Sequence, residues 1–134
     1  MLEINWVGAI VAGIAGFVLG GLWYSPLLFS KRWQAETGVG KTVPIRYPFA
    51  VPMIASVTIS IIGAIALSAL VGPAPSFKGA IVVGAVIGFL CVAPAIKMNG
   101  LFGQNSPGLI AIHALYPASQ FTLMGAILGL WSSF

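Results

Sequence analysis

The residues of this sequence that could do chemistry in an apolar environment are few, and three of them share a helical face. His113 is the one histidine of the chain, and Tyr116 and Gln120 follow it at three and seven positions. A helix advances by about 100° per residue, so these side chains form one polar stripe. Pro117 lies within it and cannot donate a hydrogen bond to the carbonyl group of His113, four residues earlier.

This polar stripe allows two interpretations. It can line a small polar cavity or a path for protons or solutes, because ionisable groups inside a membrane are costly and often functional. It can equally form an interhelical hydrogen-bond cluster that fixes packing, with Ser56 or Ser60 on another helix as the partner. The residue types alone leave both interpretations open.

Several kinds of chemistry are excluded by what the apolar runs lack. Both acidic residues, Glu3 and Glu36, lie outside them, so a carboxylate proton carrier and paired-carboxylate hydrolysis are not expected. One histidine and one cysteine cannot build a catalytic metal site within one chain. No carboxylate is placed to orient His113 for a serine hydrolase. We therefore expect no enzymatic activity, no metal and no cofactor.

The composition indicates that the helix carrying this stripe lies in a membrane. Of 134 residues, 59% are hydrophobic and 6% are charged, whereas about a quarter are charged in soluble domains. The eight charges leave four long charge-free runs, each near or above the roughly 18 residues needed to cross a bilayer. The sequence predicts an all-α integral membrane four-helix bundle, a single domain over 1–134, with spans near 5–28, 49–71, 78–97 and 107–131.

The basic residues predict how the bundle is oriented. Loops one and three together hold five, against one (Lys78) in loop two. Under the positive-inside rule both termini lie outside the cytoplasm. The net charge of +4 is then a topology signal, and no nucleic-acid partner is expected. Lipid headgroups are the expected partners of Lys31, Arg32 and Lys97, and loop one, with Lys41 and Arg46, could bind anionic lipid.

Small residues recur at helical spacing on three of the predicted spans. Such stripes let helix backbones approach closely, which favours tight packing within the chain or between subunits. Gly8–Gly13 also resembles Gly79–Gly84, which suggests a parallel repeat of two-helix hairpins. The packing glycines are Gly13, Gly16, Gly20, Gly84, Gly88, Gly125 and Gly129.

Aromatic residues cluster near the predicted span ends, where one side of a ring can be apolar and the other wet. We interpret them as interfacial anchors. The most distinctive run is Trp23, Tyr24, Ser25 and Pro26, followed by Phe29 and Trp33.

This W-Y-S-P-x-x-F-x-x-x-W run resembles the signature of the domain of unknown function 1761 family of small bacterial membrane proteins. The resemblance implies four spans, a bacterial inner membrane and no assigned activity. Physically, the run is explained as a helix exit in which Pro26 ends or kinks the first helix. The functional alternative is that Tyr24 and Ser25 line the cytoplasmic mouth of a path.

Taken together, these patterns favour a small membrane protein without enzymatic activity. We expect it to act as a homo-oligomer or as an accessory subunit of a larger membrane complex. The alternative is a small channel or transporter whose path follows His113, Tyr116 and Gln120.

Overall fold

The computed structural model describes residues 3–132, which fold as helices joined by three short connections and one longer one, residues 38–49. The described elements are α1 (Trp6–Trp23), α2 (Ser30–Thr37), α3 (Ala50–Val71), α4 (Phe77–Ala85), a π-helical segment (Val86–Val92), α5 (Ala93–Phe102) and α6 (Pro107–Trp131).

Three of these helices begin at a polar residue that caps them. The side chains of Asn5, Ser76 and Ser106 accept hydrogen bonds from the backbone N–H groups of Gly8, Gly79 and Leu109. Each cap satisfies a donor that the first helical turn leaves free. Short polar side chains between apolar runs thus set where α1, α4 and α6 start.

The long helices alternate in direction. The Asn5 N–H donates to Ser68 Oγ (2.9 Å) and Ser60 Oγ donates to the Gly13 carbonyl (2.7 Å), so α1 and α3 are antiparallel. Helix α6 is antiparallel to both α1 and the continuous rod of α4, the π-helical segment and α5. It packs between these two neighbours and contains the largest number of buried residues in the described chain.

Three helical segments are long and apolar enough to cross a membrane: Trp6–Trp23, Ala50–Val71 and the rod Phe77–Phe102. Helix α6 has 25 residues but is not one of these three segments, and it carries the polar residues of the stripe. It nevertheless runs alongside the whole rod, from Phe77 opposite Gly129 to Gly100 opposite Ile110. The predicted all-helical membrane fold is confirmed.

The first helix ends at Trp23, five residues before the predicted end of the span. Ser25 explains the early stop, since its hydroxyl donates to the Leu22 carbonyl (2.6 Å) and accepts from the Leu27 N–H (3.2 Å). These side-chain hydrogen bonds compete with the backbone hydrogen bonds that would continue the helix. Pro26, which has no N–H, follows directly. The chain then turns back toward α6.

Helix α2 lies inside the stretch predicted as a loop of mixed polarity. Ser30, Trp33 and Thr37 recur at helical spacing and are its less exposed residues, while the rest of the helix is exposed. Gly38 ends it in a left-handed conformation (φ 69°). A helix of eight residues has only two or three positions on its buried face, which is too few to produce a clear hydrophobicity pattern.

The third long segment extends to Phe102, beyond the predicted boundary at Lys97. Its middle is π-helical from Val86 to Val92, and Pro94 follows two residues later. Pro94 has no N–H to pair with the Leu90 carbonyl, and its ring crowds that carbonyl. The wider π turn accommodates this mismatch without ending the helix.

The glycine stripes face neighbouring helices of the same chain. A Cβ atom built on Gly88 would lie 2.7 Å from the Ala118 carbonyl oxygen, and one on Gly129 would lie 2.8 Å from the Phe77 Cα. Gly84 and Gly125 similarly abut backbone carbonyls across the contact between α4 and α6. Backbones this close exclude any side chain larger than hydrogen.

We predict that Gly84→Ala destabilises the protein by about 1–3 kcal/mol, because the added methyl group must push α4 away from the Phe121 carbonyl. Gly21→Ala is the matched control, since a Cβ there meets nothing within 4 Å. It should be neutral or stabilising by about 0.5–1 kcal/mol. Thermal unfolding in detergent measures both, and equal stability of the two variants would contradict the packing described.

Candidate functional site

The polar stripe of α6 is closed by hydrogen bonds to α1 and α3. Gln120 Nε2 donates to Ser60 Oγ (2.9 Å), and Ser60 in turn donates to the Gly13 carbonyl (2.7 Å). The Tyr116 hydroxyl donates to the Gly16 carbonyl (3.0 Å). Three helices are therefore joined through the middle of the bundle by side chains of one stripe.

The end of this stripe that carries His113 contacts the turn after α1. The Tyr24 hydroxyl and His113 Nδ1 lie 2.9 Å apart and share a hydrogen bond. The direction of this bond follows the histidine tautomer, since either atom can carry the proton. The indole N–H of Trp23 donates to the Ile112 carbonyl (2.9 Å), which fixes the same turn against α6.

An aromatic cluster, formed by Trp23, Tyr24, Phe29 and Trp33, surrounds this end of the stripe. Trp23 stacks at a tilt on Phe29 (5.0 Å between ring centroids), and Tyr24 meets Trp33 edge-on at 6.0 Å. Tyr24 also meets Tyr116 edge-on at 5.9 Å. Such edge-on and tilted pairs contribute beyond the area they bury.

These aromatic residues lie at the end of the bundle, as their interpretation as anchors requires, but Trp23, Tyr24 and Trp33 are half-buried against the protein. Trp6 and Tyr47, by contrast, are more than half exposed. The W-Y-S-P run thus supplies ring partners and a hydrogen-bond partner for α6, in addition to ending α1.

Glycine makes these hydrogen bonds sterically possible. A Cβ atom on Gly16 would lie 2.8 Å from Ser60 Oγ, and one on Gly20 would lie 2.6 Å from the Tyr116 hydroxyl. Any larger residue would separate the polar groups from the backbone carbonyls that they bind. The small-residue stripe of α1 and the polar stripe of α6 are therefore two halves of one contact.

Other candidate residues lie outside this cluster. Ser56 is exposed on α3, so Ser60 alone of the two serines joins the polar stripe. Ser25 bonds to its own turn and does not face the stripe. Lys31 and Lys97 are exposed.

His113 also borders a small cleft between α5 and α6, with a volume of about 160 Å³. Asn99 and Asn105 contribute its polar groups, and Ile96, Gly100 and Ile110 complete the lining. In residues 3–132 no group of three or more His, Cys, Asp or Glu side chains is placed to hold a metal ion.

Sequence reasoning found the stripe and offered Ser60, together with Ser56, as its partner, but it missed Tyr24 and the carbonyl groups of Gly13 and Gly16. It placed Tyr24 at an interface or a pore mouth, and it assigned Glu36 no role. The structure joins Glu36 to the Ser106 hydroxyl, which links α2 to the start of α6. The antiparallel arrangement of α1 and α6 could have indicated that Tyr24 lies level with His113.

The fold and the cluster together define a small helical membrane protein in which a polar stripe is buried by contact between helices. Residues 7–129 match the family model described as protein of unknown function DUF1761, and the chain belongs to that family. No curated protein and no solved structure matches the sequence.

We predict that Tyr24 and His113 stabilise the fold as a coupled pair. Tyr24→Phe removes the hydroxyl and should cost about 0.6–1.7 kcal/mol, the range of hydrogen bonds between membrane helices. In the His113→Leu background the same change should cost much less, because the partner is already absent. Unfolding free energies of the two single variants and the double variant measure the coupling.

Tyr47→Phe is the control for this cycle, since Tyr47 is 59% exposed and should show no coupling to His113. Additive effects of Tyr24→Phe and His113→Leu would contradict the shared hydrogen bond.

Proposed function

We propose that this protein is a non-enzymatic component of membrane assemblies, acting as a homo-oligomer or as an accessory subunit of a larger membrane complex. In this proposal the polar stripe stabilises the fold and does not act on a substrate. The supporting observation is that the Tyr116 hydroxyl, the Gln120 amide nitrogen and the Ser60 hydroxyl all form hydrogen bonds within the chain.

Two further observations support this proposal. Among residues 3–132, no fully enclosed side-chain nitrogen or oxygen lacks a hydrogen-bond partner, so the centre of the bundle is held together by satisfied polar contacts. The outer surface carries large apolar side chains, including Ile54, Ile59 and Ile62 on α3. Such a surface suits contact with lipid tails and with other membrane subunits.

The orientation is part of the same proposal. The contact between Glu36 and Ser106 brings loops one and three to the same end of the bundle. Five of the six basic residues belong to that end, which supports a cytoplasmic location for it and both termini outside.

We expect the protein to leave native membranes in mild detergent as part of a particle larger than one chain. Native mass spectrometry of that particle identifies every co-purifying subunit. Other proteins in defined ratio would indicate an accessory role, and several copies of this chain alone would indicate a homo-oligomer. A strictly monomeric particle, extracted across a range of mild detergents, would overturn the proposal.

A second candidate function is a small channel or transporter. It is favoured by one observation, that His113 borders the cleft shared with Asn99 and Asn105. This function predicts a pH-dependent flux across proteoliposomes that His113→Ala abolishes, with Tyr47→Phe as the control. Flux that is unchanged in His113→Ala would remove this candidate.

A further inference from the structure

A second groove lies on the outer surface of α6, at the end of the bundle that carries most of the basic residues. It has a volume of about 230 Å³ and runs between α6 and the turn that joins α1 to α2. Its lining is apolar apart from one charged side chain, that of Arg32. The other lining residues are Trp23, Phe29, Gly108, Ala111, Ile112 and Leu115.

Arg32 holds its guanidinium group across the first turn of α6. A Cβ atom on Gly108 would overlap that group, so glycine is what admits it. Arg32 pairs with Glu36 through Nε (3.5 Å), and within residues 3–132 its hydrogen bonds use Nε alone. The two terminal nitrogens are therefore available to an anion.

The start of α6 adds a second donor beside Arg32. Pro107 has no N–H, and the Leu109 N–H is taken by Ser106 Oγ (3.1 Å). The Gly108 N–H is then the first-turn donor without a partner in the described chain. It belongs to a helix of 25 residues, whose N-terminus carries partial positive charge.

From this polar end the groove runs into the apolar part of the bundle. Gly108, Ala111 and Leu115 follow one another along the outer face of α6. Trp23 and Phe29 form one wall. Ala111 and Leu115 are exposed, so a flexible apolar chain can lie against them.

We propose that this groove binds an anionic phospholipid. Its phosphate oxygens accept hydrogen bonds from the terminal nitrogens of Arg32 and from the Gly108 N–H, and its acyl chain lies along Ala111 and Leu115. The match is one of charge and polarity, since a planar guanidinium binds phosphate well and the apolar wall begins directly beside it. Lys31, next to Arg32 in the sequence and exposed, adds to the preference for a negatively charged headgroup.

The test measures the apparent dissociation constant for the first bound phosphatidylglycerol, by native mass spectrometry of the full chain in a neutral detergent. Arg32→Gln should weaken this binding about tenfold, as expected for loss of hydrogen bonds to a charged group. Arg46→Gln removes the same charge from the same end but outside the groove, and should change the dissociation constant by less than about twofold if the groove, and not loop one as a whole, binds the lipid. Equal effects of the two variants would overturn the proposal in favour of diffuse electrostatic attraction.

A second pair of variants tests the acyl-chain part of the groove without changing charge. Ala111→Phe fills the groove and should weaken phosphatidylglycerol binding, whereas Ala55→Phe, at an exposed position of α3, should not. Thermal unfolding of all four variants checks that each is folded.

Inorganic phosphate distinguishes a lipid site from a simple anion site. The proposal expects millimolar phosphate to compete weakly, because it lacks the acyl chain. If phosphate displaces the lipid fully and Ala111→Phe has no effect, the groove is an anion site and the proposal fails.

Discussion

The structure depends on one constraint, that polar side chains within a membrane bundle must find their hydrogen-bond partners inside the protein. Helix α6 places a histidine, a tyrosine and a glutamine inside the bundle, and lipid tails cannot form hydrogen bonds with them. The carbonyl groups of Gly13 and Gly16 act as acceptors inside the protein. They accept hydrogen bonds from the hydroxyl groups of Ser60 (2.7 Å) and Tyr116 (3.0 Å). The close approach of α1 and α6 and the polarity of α6 are therefore mutually dependent.

The turn after α1 extends the same contact to the end of the bundle. Because Ser25 stops the helix, Tyr24 is free to bond with His113 and the chain can return to place α2 beside α6. Phe29 and Trp33 then pack against Trp23 and Tyr24. The Ser106 hydroxyl donates a hydrogen bond to Glu36, which links α6 to α2. A short motif in the sequence thus organises contacts among α1, α2 and α6.

Much of the fold could be predicted from the sequence, because a bilayer requires long apolar helices and charges interrupt them visibly. The polar stripe could be predicted for a similar reason, since His113, Tyr116 and Gln120 stand out in an apolar helix. The groups that hydrogen-bond to these side chains could not be predicted, because tertiary packing decides which residues of the other helices face the stripe. Ser56 and Ser60 are equally plausible by residue type, and only the rotation of α3 separates them. Helix α2 and the π-helical segment were also missed, since one is short and the other depends on how the rod accommodates Pro94.

Water access to Ser60 is the most direct measure of whether the polar contact is sealed, because this residue joins α1, α3 and α6 and is 3% exposed. In a Cys91→Ser background, Ser60→Cys and Thr42→Cys would be exposed to a water-soluble maleimide in open membrane fragments. We predict rapid labelling at Thr42→Cys, in the exposed first loop, and none at Ser60→Cys while the protein is folded. Comparable labelling at both positions would show that water reaches the polar stripe, and would contradict a sealed structural contact.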